Sequence, residues 1–242
     1  MIRSISVVIP AYNEEKRLPQ TLERVAAYLN AHDLDFREIV VVDDGSSDAT
    51  AAFAERFAAG NKGVRVLKNG ANRGKGYSVR SGMMAAAGEW VLFSDADLSA
   101  PIEQLEVLMQ AVESEGADVV IGSRALDRSL VGVHQPGFRE SAGKFFNFVM
   151  RLAVGLPIHD TQCGFKLFSL RAVRTIFPRQ RLDRFGFDVE VLLIAHLHGF
   201  CIEEVPVQWS HIEGTRVSML GGMRAFVELL EIRVNQILGR YH

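Results

Sequence analysis

The chain has 242 residues, 48% of them hydrophobic and 23% charged, a composition that buries a globular core without disulfides or a structural metal. Its formal net charge of -2 shows no basic excess and gives no reason to expect a nucleic-acid partner. Cys163 and Cys201 stand far apart and outside any paired-ligand spacing, so they read as reduced thiols of a cytoplasmic protein rather than a zinc or redox site.

In chain order, Met1-Ile2-Arg3-Ser4 leads straight into a β-branched run at residues 5–10, without the apolar core of a signal peptide. Further strand patterns follow at 38–43, 64–68, 90–95 and 119–122. Between them, Leu22, Val25, Ala26 and Leu29 recur at helical spacing, as do Leu105, Leu108, Met109 and Val112. Strands alternating with helices predict an α/β fold with a mostly parallel sheet flanked by helices, and Ser99 with Pro101 reads as the cap and first turn of a helix. After Leu126 the pattern changes to a loop, an amphipathic helix at about 140–155 and a segment near 164–169. A helix at 188–198, a strand at 202–209 and a terminal amphipathic helix at 219–238 complete it. With no repeat or linker, one domain is expected, with residues 1–125 as a ligand-binding half and 126–242 as a specialised second half. No apolar run reaches the ~18 to 20 residues that cross a bilayer, and the longest, 145–158, carries Arg151. Membrane contact is therefore expected to be peripheral.

In an open α/β sheet the ligand crevice lies at the carboxyl ends of the strands. Four polar segments fall there: Tyr12-Asn13-Glu14, Asp43-Asp44-Gly45, Asn72-Arg73-Gly74-Lys75 and Asp95-Ala96-Asp97. Asp95 and Asp97, spaced i, i+2 on extended chain, would aim two hard carboxylates to one side, a set suited to Mg²⁺ or Mn²⁺ completed by phosphate oxygens and water. The same triplet also fits a solvated turn. A carboxylate of Asp43-Asp44 could accept the N3–H of uracil, while Asp43 and Ser46 could equally satisfy backbone amides, and the residues alone leave both readings open. Arg73 and Lys75 offer cations to phosphate oxygens before a helix start, but the loop lacks the Gly-Lys-Ser/Thr ending of a P-loop ATPase. Two apolar stripes read first as core and second as membrane contact: Phe145, Phe148, Val149 and Leu152, and Met223, Phe226, Val227, Leu230, Val234 and Ile237. The phenylalanine cluster makes the first stripe the better membrane candidate.

These segments occur in a telling order: Pro10-Ala11-Tyr12-Asn13-Glu14-Glu15, Asp43 to Thr50, Asn72 to Gly76, Asp95 to Asp97 and Gly122-Ser123-Arg124. Asp160-Thr161-Gln162-Cys163-Gly164-Phe165-Lys166-Leu167-Phe168 and Phe187-Asp188-Val189-Glu190 complete the series. Together they resemble the family-2 glycosyltransferases with the GT-A fold. Within that family the closest resemblance is to dolichyl-phosphate β-glucosyltransferases, with polyprenyl-phosphate mannosyltransferases next. Leu98-Ser99 departs from both patterns.

The resemblance implies a metal-dependent hexosyltransferase that moves a sugar, glucose from UDP-glucose first and mannose from GDP-mannose second, onto a polyprenyl phosphate. The protein would rest on the cytoplasmic face of the membrane. Pro10, Tyr12 and Glu14 would line the nucleoside and Asp44 would meet the base. Arg73, Lys75, Asp95 and Arg216 would complete the donor site, with Asp97 and Asp95 holding Mg²⁺ or Mn²⁺. Arg124, Arg139 and Lys166 would meet the acceptor phosphate, and Gln162 and Asp188 would sit beside the sugar. A lipid phosphate already carries its nucleophilic oxyanion, so inverting attack needs alignment and charge compensation more than a base. A transferase for saccharide hydroxyls would instead need a base such as Asp188 or Glu190, and a regulator that binds nucleotide sugars without turnover is the reading from outside catalysis.

Overall fold

The computed structural model describes residues 2–132, 155–211 and 219–242, side chains at 219–226 excepted. Five apolar runs form β1 (Ser4–Ala11), β2 (Phe36–Asp43), β3 (Val64–Lys68), β4 (Trp90–Ser94) and β5 (Val119–Ser123). β6 (Phe165–Ser169) and β7 (Ile202–Pro206) join them in one sheet of order β3-β2-β1-β4-β6-β5-β7. β1 runs parallel to β2 and β4, β2 to β3, and β5 to β7, whereas β6 is antiparallel to both its neighbours.

Alternate strand residues feed two cores. Val8, Val40, Val42, Val91, Phe93 and Ile121 face one side, and Val7, Ile9, Val41, Leu92, Val120 and Leu167 face the other. A sheet covered on both faces explains why its strands read as nearly unbroken apolar runs. α1 (Leu18–Ala31) and α4 (Leu105–Glu115) cover the second face with the predicted Leu22, Val25, Leu29, Leu105 and Leu108. α2 (Thr50–Gly60) sends Ala54 into the same core. α3 (Lys75–Ala85), α5 (Leu170–Ile176) and α6 (Phe187–Leu197) cover the first face, and α7 (Met219–Ile237) docks there through Leu229 and Ile232. α6 is buried along both flanks, as its run Val189, Val191, Leu192, Leu193 and Ile194 requires.

Three expectations are corrected, and one helix, α5, was not anticipated. β4 stops at Ser94, and Asp95 to Leu98 form a turn closed by Leu98 N–H donating to Asp95 O at 3.2 Å, with Leu98 left-handed at φ 48°. The two aspartates therefore sit on a turn rather than on extended chain. Before α4 comes a 3-10 turn, Ile102–Gln104, without a side-chain cap, because Pro101 at ψ 144° keeps the helix from starting at Ser99. α5 has no apolar stripe long enough to announce it and is held by the Ser169 hydroxyl accepting from Ala172 N–H. On α7 the anticipated stripe is not core, since Val227, Leu230, Val234 and Ile237 are exposed while Leu229 and Ile232 point inward. The Phe145 to Leu152 stripe lies outside the described residues. Among those residues no helix is long and apolar enough to cross a membrane.

The chain leaves β1 toward β2 on one side and later returns as β4 on the other. A crevice opens between the carboxyl ends of two such strands, which here carry Tyr12-Asn13-Glu14 and Asp95-Ala96-Asp97.

Candidate active site

On the β1 side of the crevice, Tyr12 follows Ala11 and is 41% exposed at the strand's end. Asn13 turns the chain at φ 55°, and its side chain accepts from Ser47 N–H at 2.8 Å. The Ser46 and Thr50 hydroxyls accept from the Asn13 and Glu14 amides at 3.0 and 2.7 Å, so the β1 and β2 loops are stitched together. The Glu14 carboxylate is taken up by a two-pronged pair with Arg17 at 2.6 Å.

Asp44, expected at the base, is 3% exposed and does different work. Its oxygens accept from Asn69 Nδ2 at 2.8 Å and from the amides of Arg73 and Gly74 at 3.0 and 2.9 Å. It thereby pins the loop that leads to Arg73 and Lys75. Among the described residues the Asp43 carboxylate accepts only the distant Ser46 amide, at 3.3 and 3.4 Å, and keeps more acceptor capacity. Gly74 is required in that loop: at φ 111°, a Cβ there would lie 2.3 Å from Asp183 O. Arg73 stacks over the Tyr77 ring at 3.9 Å, exposed at the rim.

Lys75 opens α3 and reaches Asp95 at 2.7 Å. Burial, the largest influence on it, pulls its pKa down, yet Asp95, Asp188 and Asp97 together hold it above its usual value. Asp97 is partly exposed, and Oδ1 accepts from Ser99 N–H at 2.9 Å. Gly164 closes the other flank of the site. Antiparallel pairing of β4 with β6 sets Ser94 opposite Phe165, and Asp95 N–H donates to Gly164 O at 3.0 Å. This register brings a motif seventy positions away in sequence against the aspartate pair.

From the same motif, Asp160 is 1% exposed and receives Arg124 through Nε at 2.6 Å, Nη2 at 2.8 Å and the backbone amide at 3.1 Å. Burial works against both charges, but their mutual attraction keeps Arg124 protonated and lowers Asp160 below the usual carboxylate range. Arg124 also lies 5.2 Å from the Trp209 ring centroid and within electrostatic reach of Asp95. Lys166, expected at a phosphate, is instead fully buried and committed to Asp188 and to Cys163 O, the latter at 2.7 Å. Asp188 is buried too, and desolvation raises its pKa despite Lys166 and Lys75. Gln162 is half-buried between Asp160 and Gly164, and Pro10 is half-buried near the end of β1. Arg139 and Arg216 lie outside the described residues. Asp160, Asn69 and Trp209 were given no role from sequence, although Asp160 leads the Asp160 to Phe168 motif.

The donor set suits a hard divalent cation: two carboxylates on one turn beside an open crevice, with Asp97 Oδ2 carrying no protein hydrogen bond among the described residues. Those residues hold no cluster of three His, Cys, Asp or Glu side chains, so further ligands would come from a bound diphosphate and water.

The model of the family described as "Glycosyl transferase family 2" matches residues 6–177. The chain belongs to glycosyl transferase family 2. This glycosyltransferase is 36% identical to the dolichyl-phosphate beta-glucosyltransferase of Mus musculus, over 99% of its own length and 78% of the relative's. It is 39% identical to that of Drosophila melanogaster, over 88% and 69%. Among solved structures it resembles glucosyl-3-phosphoglycerate synthase from Mycobacterium tuberculosis in complex with UDP, with a TM-score of 0.68 and 20% identity over 95% of this chain and 80% of that one. The same synthase in complex with Mn²⁺, UDP and glucosyl-3-phosphoglycerate also matches, with a TM-score of 0.68.

Proposed function

We propose that this family 2 glycosyltransferase moves glucose from UDP-glucose to a polyprenyl phosphate of the dolichyl type, with inversion at the anomeric carbon. The observation that carries the reading is the flanking of Asp95 and Asp97 by Lys75 on the donor side and Arg124 on the other. The names of the relatives supply the acceptor class, and the fold neighbours, whose complexes contain UDP and Mn²⁺, supply the donor class. Residues 1–125 form the donor half and 126–242 the acceptor half.

Tyr12 stacks on the base and Pro10 lines the nucleoside. Base reading falls to Asp43, the carboxylate with spare acceptor capacity, while Asp44 holds the Asn69 to Gly74 loop. Glu14, paired with Arg17, shapes the nucleoside wall from behind. Lys75 and Arg73 take diphosphate oxygens, and Asp97 with Asp95 would hold Mg²⁺ or Mn²⁺, which when bound neutralises charge on the departing diphosphate. Arg124, steadied by Asp160, spends two guanidinium nitrogens on that partner and offers the third edge to the acceptor phosphate. The acceptor brings its own oxyanion, so the protein's task is alignment and charge compensation.

No observation favours a hydroxyl acceptor, because Asp188 and Glu190 are both buried and engaged. The reading is tested by offering nucleotide sugars with dolichyl phosphate and scoring lipid-linked product. UDP-glucose is expected to give product and GDP-mannose none, and Asp43→Ala should erode the preference for UDP over GDP. Product from GDP-mannose alone, or transfer only to soluble hydroxyls, refutes it.

A further inference from the structure

One surface of the molecule is not used by the transfer site. Val227, Leu230, Val234, Ile237 and Leu238 are 51% to 79% exposed, and their spacing puts them in one stripe along α7 and its end. The opposite face packs inward through Leu229, Ile232 and Asn235. The segment before α6 lies alongside this helix. Gly186 N–H donates to Glu228 at 2.6 Å near one end, and Arg181 Nη2 donates to Arg240 O at 3.4 Å near the other. Phe185, 42% exposed, and the exposed Arg181 and Arg184 belong to this segment, beside the helix that carries the stripe. Arg233 and Arg240 are exposed on the helix side. The guanidinium groups of Arg181, Arg233 and Arg240 donate only to neutral oxygens among the described residues. Of the described carboxylates in this stretch, Glu231 is exposed and Asp183 is paired with Arg80 at 2.8 Å, so the four arginines leave the balance around the stripe cationic.

We propose that this face, the α7 stripe with Phe185 and the rim of Arg181, Arg184, Arg233 and Arg240, is the surface by which the protein rests on an anionic lipid bilayer. Apolar side chains sink below the headgroups while arginines meet lipid phosphates, the arrangement of an interfacial helix. Charge argues against a second copy of the chain as occupant, because two copies meeting through this face would set the same arginine rim against itself, whereas an anionic bilayer complements it. Position favours the membrane as well. The Glu228–Gly186 bond ties α7 to the start of α6, which carries Asp188 in the acceptor half. The inference deepens the reading above and rests on it only for the identity of the acceptor.

The test uses the full chain with vesicles of phosphatidylcholine, with or without phosphatidylglycerol, and no polyprenyl phosphate. The parent protein should co-sediment with the anionic vesicles. Leu230→Ser/Val234→Ser/Ile237→Ser should lower partitioning by at least about tenfold. Arg233→Gln/Arg240→Gln should lower it about fivefold per arginine on anionic vesicles only. Both variants should keep the parent's melting temperature and its transfer to a short, water-soluble prenyl phosphate. If the serine variant melts early, the arginine variant decides. Failure of the parent to bind, parent-like binding by the arginine variant, or a solution dimer that the serine variant dissociates overturns the proposal. Loss of transfer to the short acceptor in the parent would instead count against the proposed function.

Discussion

Gly164→Ala isolates the geometry of the aspartate pair from the stability of the fold. A Cβ at position 164 would lie 2.0 Å from Asp95 Oδ2 and 2.4 Å from its Cγ, where ordinary contact begins near about 3.5 Å. The carboxylate must then move by more than about 1 Å. The backbones cannot part easily, because Asp95 N–H donates to Gly164 O inside the β4–β6 pairing. The relief comes from rotating Asp95 about χ1, at a cost of about 1 kcal/mol, and rotation breaks the 2.7 Å contact with Lys75. A misplacement of about 1 Å in a catalytic constellation costs about a hundredfold in rate, whereas about 1 kcal/mol lowers the melting temperature by roughly 2 to 4 °C in a chain of this size. The assay is the initial rate of glucose transfer to polyprenyl phosphate beside a thermal melt. Gly60→Ala is the control, since its Cβ meets nothing within 4 Å. If Gly164→Ala transfers as fast as Gly60→Ala, Asp95 has no demanding position and the reasoning fails.

Asp97→Asn should abolish metal-stimulated transfer with the melting temperature intact, and full parent activity in excess chelator would contradict the assignment. Asp160→Asn should lower stability by about 3 to 5 kcal/mol, because Arg124 is left partly buried without its counter-charge. UDP affinity in the surviving protein should change far less than transfer, and calorimetry showing the reverse would move Arg124 to the donor side. Tyr241→Phe removes a 2.8 Å donor from Glu190, whose pKa burial pushes up to about 7 against the pull of the Leu182 amide and of Tyr241 itself. A carboxyl raised above its unfolded value contributes stability that is present below about pH 4.5 and lost as pH rises through about 7. The variant should lose about 1 to 3 kcal/mol, with a deficit wider at pH 8 than at pH 5, and equal deficits at both would show that Glu190 does not titrate there.

Much of this was legible because strands buried on both faces leave long apolar runs, so β1 to β5 and their carboxyl-end polar residues could be read directly. The helical stripes of α1 and α4 were equally plain. What sequence could not give is what depends on which strand pairs with which. The place of β6 between β4 and β5, antiparallel to both, is what sets Gly164 against Asp95, and no local pattern encodes it. Of the adjacent aspartates Asp43 and Asp44, the resemblance put Asp44 at the base, and no local pattern showed that the Asn69 to Gly74 loop occupies its carboxylate. The α7 stripe misled for a related reason: the helix is apolar on more than one side, and periodicity cannot say which side meets the core.

The burial of Asp188 bears on the acceptor more than on the donor. A carboxylate that activates a hydroxyl must reach it and must bind and release a proton near neutral pH. Asp188 is bonded to Lys166, which Cys163 O holds from behind, so protonating it would break a buried pair and leave the lysine charged and unmatched. Glu190 has a pKa near neutrality, but it is fully buried and turned toward Arg181, Leu182 and Tyr241, where its role is to fasten the chain's end. Neither carboxylate is both open and mobile in its proton. A site arranged this way suits a nucleophile that arrives already ionised, and in the proposed function the partly exposed guanidinium of Arg124 would receive it.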